Sequence, residues 1–215
     1  MDNYYDIEEP KKRGFTVGKL LKWAAVALIA VVYIILIARC TMYGDDKIVS
    51  KILTNDATLE AYHADPAGFT VEQYGMNNPW IPVEDGRMVE FNNLYHIPAA
   101  SQLQVSVKYN TDIAPYLGED GLPFRFHLTD DDGNVYDRYF FEQKRKFAYN
   151  YIRLCFESIT LEDSEKPLNE NGKLERKSYT LHVERRNEDG SYTELCKYRV
   201  YDGSDISKKV DFSIK

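Results

Sequence analysis

From Trp23 to Ala38 the chain reads WAAVALIAVVYIILIA, with no charge, no Gly and no Pro. Leu20 and Leu21 extend the run by a turn, interrupted only by Lys22. Crossing about 30 Å of hydrocarbon takes ~20 residues of helix. Leu20 to Ala38 nearly meets that, because Lys22 can snorkel to the interface and Trp23 suits the headgroup level. A core helix this long and apolar all round requires a larger protein around it. The run therefore predicts a membrane-spanning helix over residues 20–39, preceded by a short polar tail, residues 1–19.

Flanking cations set the orientation. Lys11, Lys12, Arg13, Lys19 and Lys22 come before the run, and Arg39, Lys47 and Lys51 come after it. The tighter cluster lies on the N-terminal side, so the positive-inside rule places the tail in the cytoplasm and the C-terminal domain outside the cell membrane. Cleavage as a secretory signal would need small residues three and one positions before the cut. Ala38-Arg39-Cys40-Thr41-Met42-Tyr43 supplies no such pair, and Arg39 before Cys40 breaks the lipoprotein pattern. The expectation is an uncleaved, single-pass signal-anchor.

One local resemblance touches this region. Lys11-Lys12-Arg13-Gly14-Phe15-Thr16-Val17, followed by an apolar helix, resembles the leader junction of type IV pilins and pseudopilins. That resemblance implies processing after Gly14, a mature chain that starts at Phe15 and a role as a pilin-like subunit. In that family an acidic residue at the fifth mature position helps assembly. The corresponding residue here is Lys19, of opposite charge, and Lys22 adds a second cation.

Beyond the anchor the pattern changes twice. Residues 40–66 read as a helical stalk, with Ile48, Ile52 and Leu53 on one face. Asn55 or Thr54 then caps a second short helix, Asp56 to Ala64, which Pro66 ends. Residues 66–87 carry Pro66, Gly68, Gly75, Pro79, Pro82 and Gly86 and read as loop, with Trp80 as a packing plug. From residue 88 the period becomes two. Leu103, Val105, Val107 and Tyr109 alternate with Gln102, Gln104, Ser106 and Lys108, the signature of a strand with one buried and one solvated face. Similar alternation runs through 124–129, 179–184 and 209–214, with less regular strands at 88–97, 134–142, 147–160 and 192–201. Acidic-Asp/Asn-Gly triplets end at Gly86, Gly121, Gly133, Gly172 and Gly190, and those at 131–133 and 188–190 sit between strand patterns as hairpin turns. About eight closely spaced strands without an intervening helical period predict a mainly β fold, an antiparallel β-sandwich of immunoglobulin-like architecture over residues 67–215.

Charge narrows the partners. The chain of 215 residues carries 27 Lys and Arg against 34 Asp and Glu, a net −7. Without the six cations and four anions of residues 1–40, 21 and 30 remain, a net −9. An acidic domain lacks the basic face that nucleic acid needs.

No chemistry-bearing motif stands out. Asp130-Asp131-Asp132-Gly133-Asn134 misses the calcium-loop spacing, because Val135 stands where that loop needs Gly. His63, His96, His127 and His182 have no ligand spacing, and His127 and His182 fall on the polar sides of their strands. Cys155 and Cys196 could pair outside the cell or remain buried thiols. Lys144-Arg145-Lys146 and Arg185-Arg186 read as solvated strand ends. Nucleophile elbows, phosphate loops and zinc-protease motifs are missing. The sequence nominates no catalytic, metal-binding or cofactor-binding residue and no cofactor. It favours a non-enzymatic module that contacts the membrane and an envelope protein, with a surface hydrolase or a pilin-like subunit as alternatives.

Overall fold

The computed structural model describes residues 17–118, 121–164, 166, 168, 172–204 and 206–212. The basic cluster and the Gly14 junction lie outside these residues. Two units follow one another along the chain. The first contains helix α1, Val17–Tyr43, which is 27 residues long and exposes its apolar side chains all round. By length and composition it can cross a membrane.

The second unit begins at Asp45. It contains helix α2 (Asp56–Ala64) and thirteen described strands. In chain order these are β1 (Val71–Tyr74), β2 (Trp80–Pro82), β3 (Met88–Ile97), β4 (Gln102–Asn110), β5 (Phe124–Asp130), β6 (Val135–Tyr136) and β7 (Tyr139–Arg145). They continue as β8 (Tyr149–Phe156), β9 (Glu162–Asp163), β10 (Glu175–Arg176), β11 (Tyr179–Arg186), β12 (Tyr192–Tyr201) and β13 (Ser207–Val210). The fold is mainly β, and every described pairing is antiparallel. A seven-stranded sheet has the order β13-β1-β3-β4-β8-β7, with β2 beside β1 on the same flank of β3. A four-stranded sheet has the order β12-β11-β5-β6, and β9 and β10 form a separate ribbon.

The two larger sheets share one core. Phe91, Val105, Val107, Ile152 and Leu154 from the first meet Phe126, Leu128, Leu181, Val183 and Tyr198 from the second. The Phe91 and Tyr198 rings stack at 4.9 Å. Period-two alternation generates these inner faces, since successive side chains of a strand point to opposite sides.

Residues 45–66 do not form a helical stalk. Only Lys47–Val49, a single 3-10 turn capped by Asp46, and α2 are helical. Asn55 caps α2 through a reciprocal pair with Thr58, as its sequence suggested. The stretch between is extended and lies along β4 as a strap. Gln104 Oε1 accepts from Leu53 N–H at 2.8 Å, and Gln104 Nε2 donates to Leu53 O at 2.8 Å. Gln102 bonds Asn55 and Thr58, Ser106 Oγ donates to Val49 O at 3.1 Å, and Lys108 Nζ meets Asp45 Oδ1 at 2.6 Å. Alternate residues of one strand thus fasten successive points of the strap. Backbone groups satisfied this way have no need of a helix, and the β-branched Ile52 favours extended chain. The polar side of β4 is consequently buried rather than solvated. Ile48 and Val49 pack on Tyr151, and Tyr62, Phe69 and Phe212 form an aromatic cluster at α2.

Two further readings change. Residues 66–87 contain β1 and β2 rather than loop alone, and Trp80 is 42% exposed on β2 rather than a core plug. The Glu84-Asp85-Gly86 turn also closes a hairpin, with φ of 56° at Asp85 and 71° at Gly86. The triplets at 131–133 and 188–190 are hairpin turns, with Gly133 and Gly190 at positive φ.

Asp130 organises the acidic turn. Its side chain accepts from Asp132 N–H, Asn134 N–H, Asn134 Nδ2, Tyr136 Oη and Lys177 Nζ. Burial alone would raise its pKa, but the Asn134, Tyr136 and Lys177 bonds outweigh it and bring the carboxyl down to about 2. A carboxyl depressed in the folded state stabilises above its unfolded pKa, and that stabilisation is lost as pH falls through the folded value. Asp130→Asn should cost about 2 kcal/mol at neutral pH. Urea unfolding of both proteins should show the gap closing between about pH 4 and pH 2. A gap independent of pH would reject the assignment.

Candidate functional site

The sites weighed from sequence separate in space. Cys155 lies on the strap side of β8 beside Arg153, whereas its neighbours Leu154 and Phe156 face the core with Cys196. Both thiols are buried and free; Cys196, on β12 of the smaller sheet, faces the shared core, while Cys155 lies on the far side of the larger sheet. Burial pushes each up to about 12, away from nucleophilic use. The acidic turn spends its carboxylates internally, for Asp131 accepts from the Ser178 N–H and hydroxyl. Lys144 and Lys146 reach Asp46, and Arg185 reaches Glu84.

Linear spacing hid one pair. His127 and His182 face each other across β5 and β11, with rings stacked at 4.5 Å and 6°. His182 is committed on both nitrogens, to Thr129 Oγ1 at 3.1 Å and to Glu194 Oε2 at 3.0 Å. Burial, then the neighbouring ring, lowers the pKa of His127. Among the described residues no group of three or more His, Cys, Asp or Glu is arranged to hold a metal.

The strongest constellation lines a cavity of about 340 Å³. Its polar groups are Glu72 and Tyr74 on β1, His96 on β3, Thr160, Glu162 on β9 and Arg176 on β10. Antiparallel register sets Glu72 directly opposite His96 and Tyr74 opposite Leu94. Leu94 and Tyr74 belong to the core, so Glu72 and His96 sit on the inner face of the sheet, beyond the apolar filling. Pro98, Ile159 and Leu161 add apolar wall.

These side chains form a chain of contacts. Tyr74 Oη donates to Glu72 Oε2 at 2.6 Å. Arg176 Nη1 contacts Tyr74 Oη at 3.2 Å, Tyr201 Oη at 3.0 Å and Ser204 O at 3.1 Å. The Nε and Nη2 positions of Arg176 have no partner among the described residues. Burial works against the guanidinium charge, but the Tyr201 and Tyr74 hydroxyls outweigh it and raise its pKa. Burial and the Glu72 bond push Tyr74 up to about 12. His96 is only 6% exposed. Its Nδ1 stands 3.5 Å from Glu72 Oε2, and neither ring nitrogen makes a hydrogen bond. Burial lowers its pKa despite Glu72, so the ring is neutral at neutral pH.

Of these residues, the sequence singles out only His96, and as an isolated histidine. Glu72 and Tyr74 fell in the stretch read as loop, and Arg176 stood beside a turn signal. Comparison with protein-family models, with curated proteins and with solved structures finds no match to the chain.

Proposed function

We propose that the chain is a membrane-anchored binding module. In this reading α1 is an uncleaved signal-anchor, the N-terminus is cytoplasmic, and the β-rich unit is an immunoglobulin-like sandwich that contacts another envelope protein outside the cell membrane. The observation that carries it is α1. Its 27 residues extend about 40 Å at 1.5 Å per residue, more than a bilayer's hydrocarbon core. An exposed apolar helix of that length needs lipid to cover it. Tethering then raises the domain's local concentration for partners in the same membrane.

We assign the partner contact to β7. It ends the larger sheet, so one row of its backbone groups has no strand partner among the described residues, and Phe140 on it is 45% exposed. Open edges of this kind accept an added strand. The test is a photocrosslinking residue at Phe140 in native membranes, with intact-mass measurement of the extracted protein. A specific partner together with an N-terminus at Met1 is expected. A chain that begins at Phe15 would replace the anchor reading with pilin-like processing, and one that begins after Ala38 would make the helix a removed signal. No crosslinked protein other than the chain itself would overturn the partner assignment.

A further inference from the structure

The cavity beside Arg176 holds two unusual features. His96 is more than nine-tenths buried, lines the space and has neither ring nitrogen bonded. Burying such a group without a partner costs about 1–3 kcal/mol, and a bound ligand would supply the partner it lacks. Arg176 is fixed through Nη1 alone, held by Tyr74, Tyr201 and Ser204. That leaves Nε and Nη2, an edge whose parallel donors match the two oxygens of a carboxylate.

We propose that this cavity binds a small zwitterion of the α-amino acid class, with its carboxylate on Arg176 and its ammonium group between Glu72 and His96. Charge argues for this class over its rivals. Arg176 and Glu72 balance one another, so neither a simple cation nor a simple anion satisfies both. Glu162 adds a second negative charge to the wall and disfavours a phosphate dianion. The neutral His96 ring offers a lone pair to an ammonium N–H. Pro98, Ile159 and Leu161 provide apolar surface for a side chain. The volume, about 340 Å³, sits at the small end of the range for ligand cavities, about 300–1,000 Å³. The site does not depend on the partner contact at β7.

The test is calorimetric titration of the full-length protein in detergent micelles with a panel of free L-amino acids. At least one is expected to bind saturably. Its N-acetyl and carboxamide derivatives should each bind about tenfold weaker or worse, the worth of one charge-assisted hydrogen bond. Glu72→Gln keeps an acceptor for Tyr74 Oη and removes the charge. It should weaken the amino acid about tenfold while leaving the melting temperature unchanged. Arg176→Lys should weaken both the amino acid and its N-acetyl derivative. Absence of binding across the panel would overturn the proposal, as would equal affinity for the N-acetyl derivative or no effect of Glu72→Gln. Failure at Phe140 with success here would leave this site standing, and the reverse holds equally.

Discussion

Arg153→Ala is expected to destabilise the domain by about 3–5 kcal/mol, whereas Arg153→Met should cost less than half as much. Arg153 is fully buried on the strap side of β8 and has no carboxylate partner among the described residues. Its Nη1 donates to Asn93 O at 2.9 Å and Ser106 Oγ at 2.8 Å, with Val49 O at 3.5 Å. The guanidinium lies 4.7 Å over the Tyr95 ring, while Nε and Nη2 make no hydrogen bond. Burial pushes its pKa down to about 10, so the group stays charged at neutral pH without a counter-ion. Alanine opens a cavity at the junction of β3, β4 and the strap and leaves acceptors bare. Methionine fills much of the volume and removes the desolvated charge, which for buried ions is often close to neutral. Urea unfolding of the full chain in micelles measures both. An Arg153→Ala protein within about 1 kcal/mol of the parent would show that the site does not hold the strap. Equal damage from Met and Ala would show that the charge itself is required.

The strand pattern was largely legible because period two is a local property. The ranges 88–97 and 192–201 coincide with β3 and β12. What covers a strand is not local. The polar residues Gln102, Gln104, Ser106 and Lys108 look the same whether they face water or a second stretch of backbone. Only their long reach and hydrogen-bonding ends hint at the strap. Lys108 illustrates this: burial works against its charge, but Asp45 and Glu90 outweigh that and raise its pKa. The cavity was illegible for a related reason. Glu72 meets His96 through register between β1 and β3, and Arg176 arrives from a two-residue strand a hundred positions later. Pro and Gly around β1 and β2 marked loops correctly but concealed strands of four and three residues. The β3 bulge was equally hidden. Asn93, at φ 50°, donates its side-chain amide to Val49 O, and its own carbonyl receives Arg153.

The strap's dependence on β4 leads to the second large effect. Gln104 is fully buried, and its amide answers both backbone groups of Leu53 as a neighbouring strand would. Gln104→Leu keeps similar bulk and leaves Leu53 N–H and C=O without partners. Leu53 is half-buried, so the low end of the cost of an unsatisfied group, about 1–3 kcal/mol, applies to each, and a loss of about 2 kcal/mol is expected. Hydrogen exchange locates the damage. The Leu53 amide should lose protection, while Val105 and Val107 amides, bonded within the sheet, keep theirs relative to global unfolding. Gln104→Glu sharpens the argument through pH. Its ionised form accepts from Leu53 N–H but opposes Leu53 O, whereas its protonated form donates to that carbonyl. Burial raises a carboxyl's pKa, and a group raised in the folded state supplies its stability below the unfolded value, losing it as pH rises through the folded one. Gln104→Glu should therefore approach the parent's stability near pH 4 and fall furthest behind it at neutral pH. If Leu53 keeps its protection in Gln104→Leu, or Gln104→Glu shows no dependence on pH, the strap is held by Ile48 and Val49 packing rather than by the polar ladder.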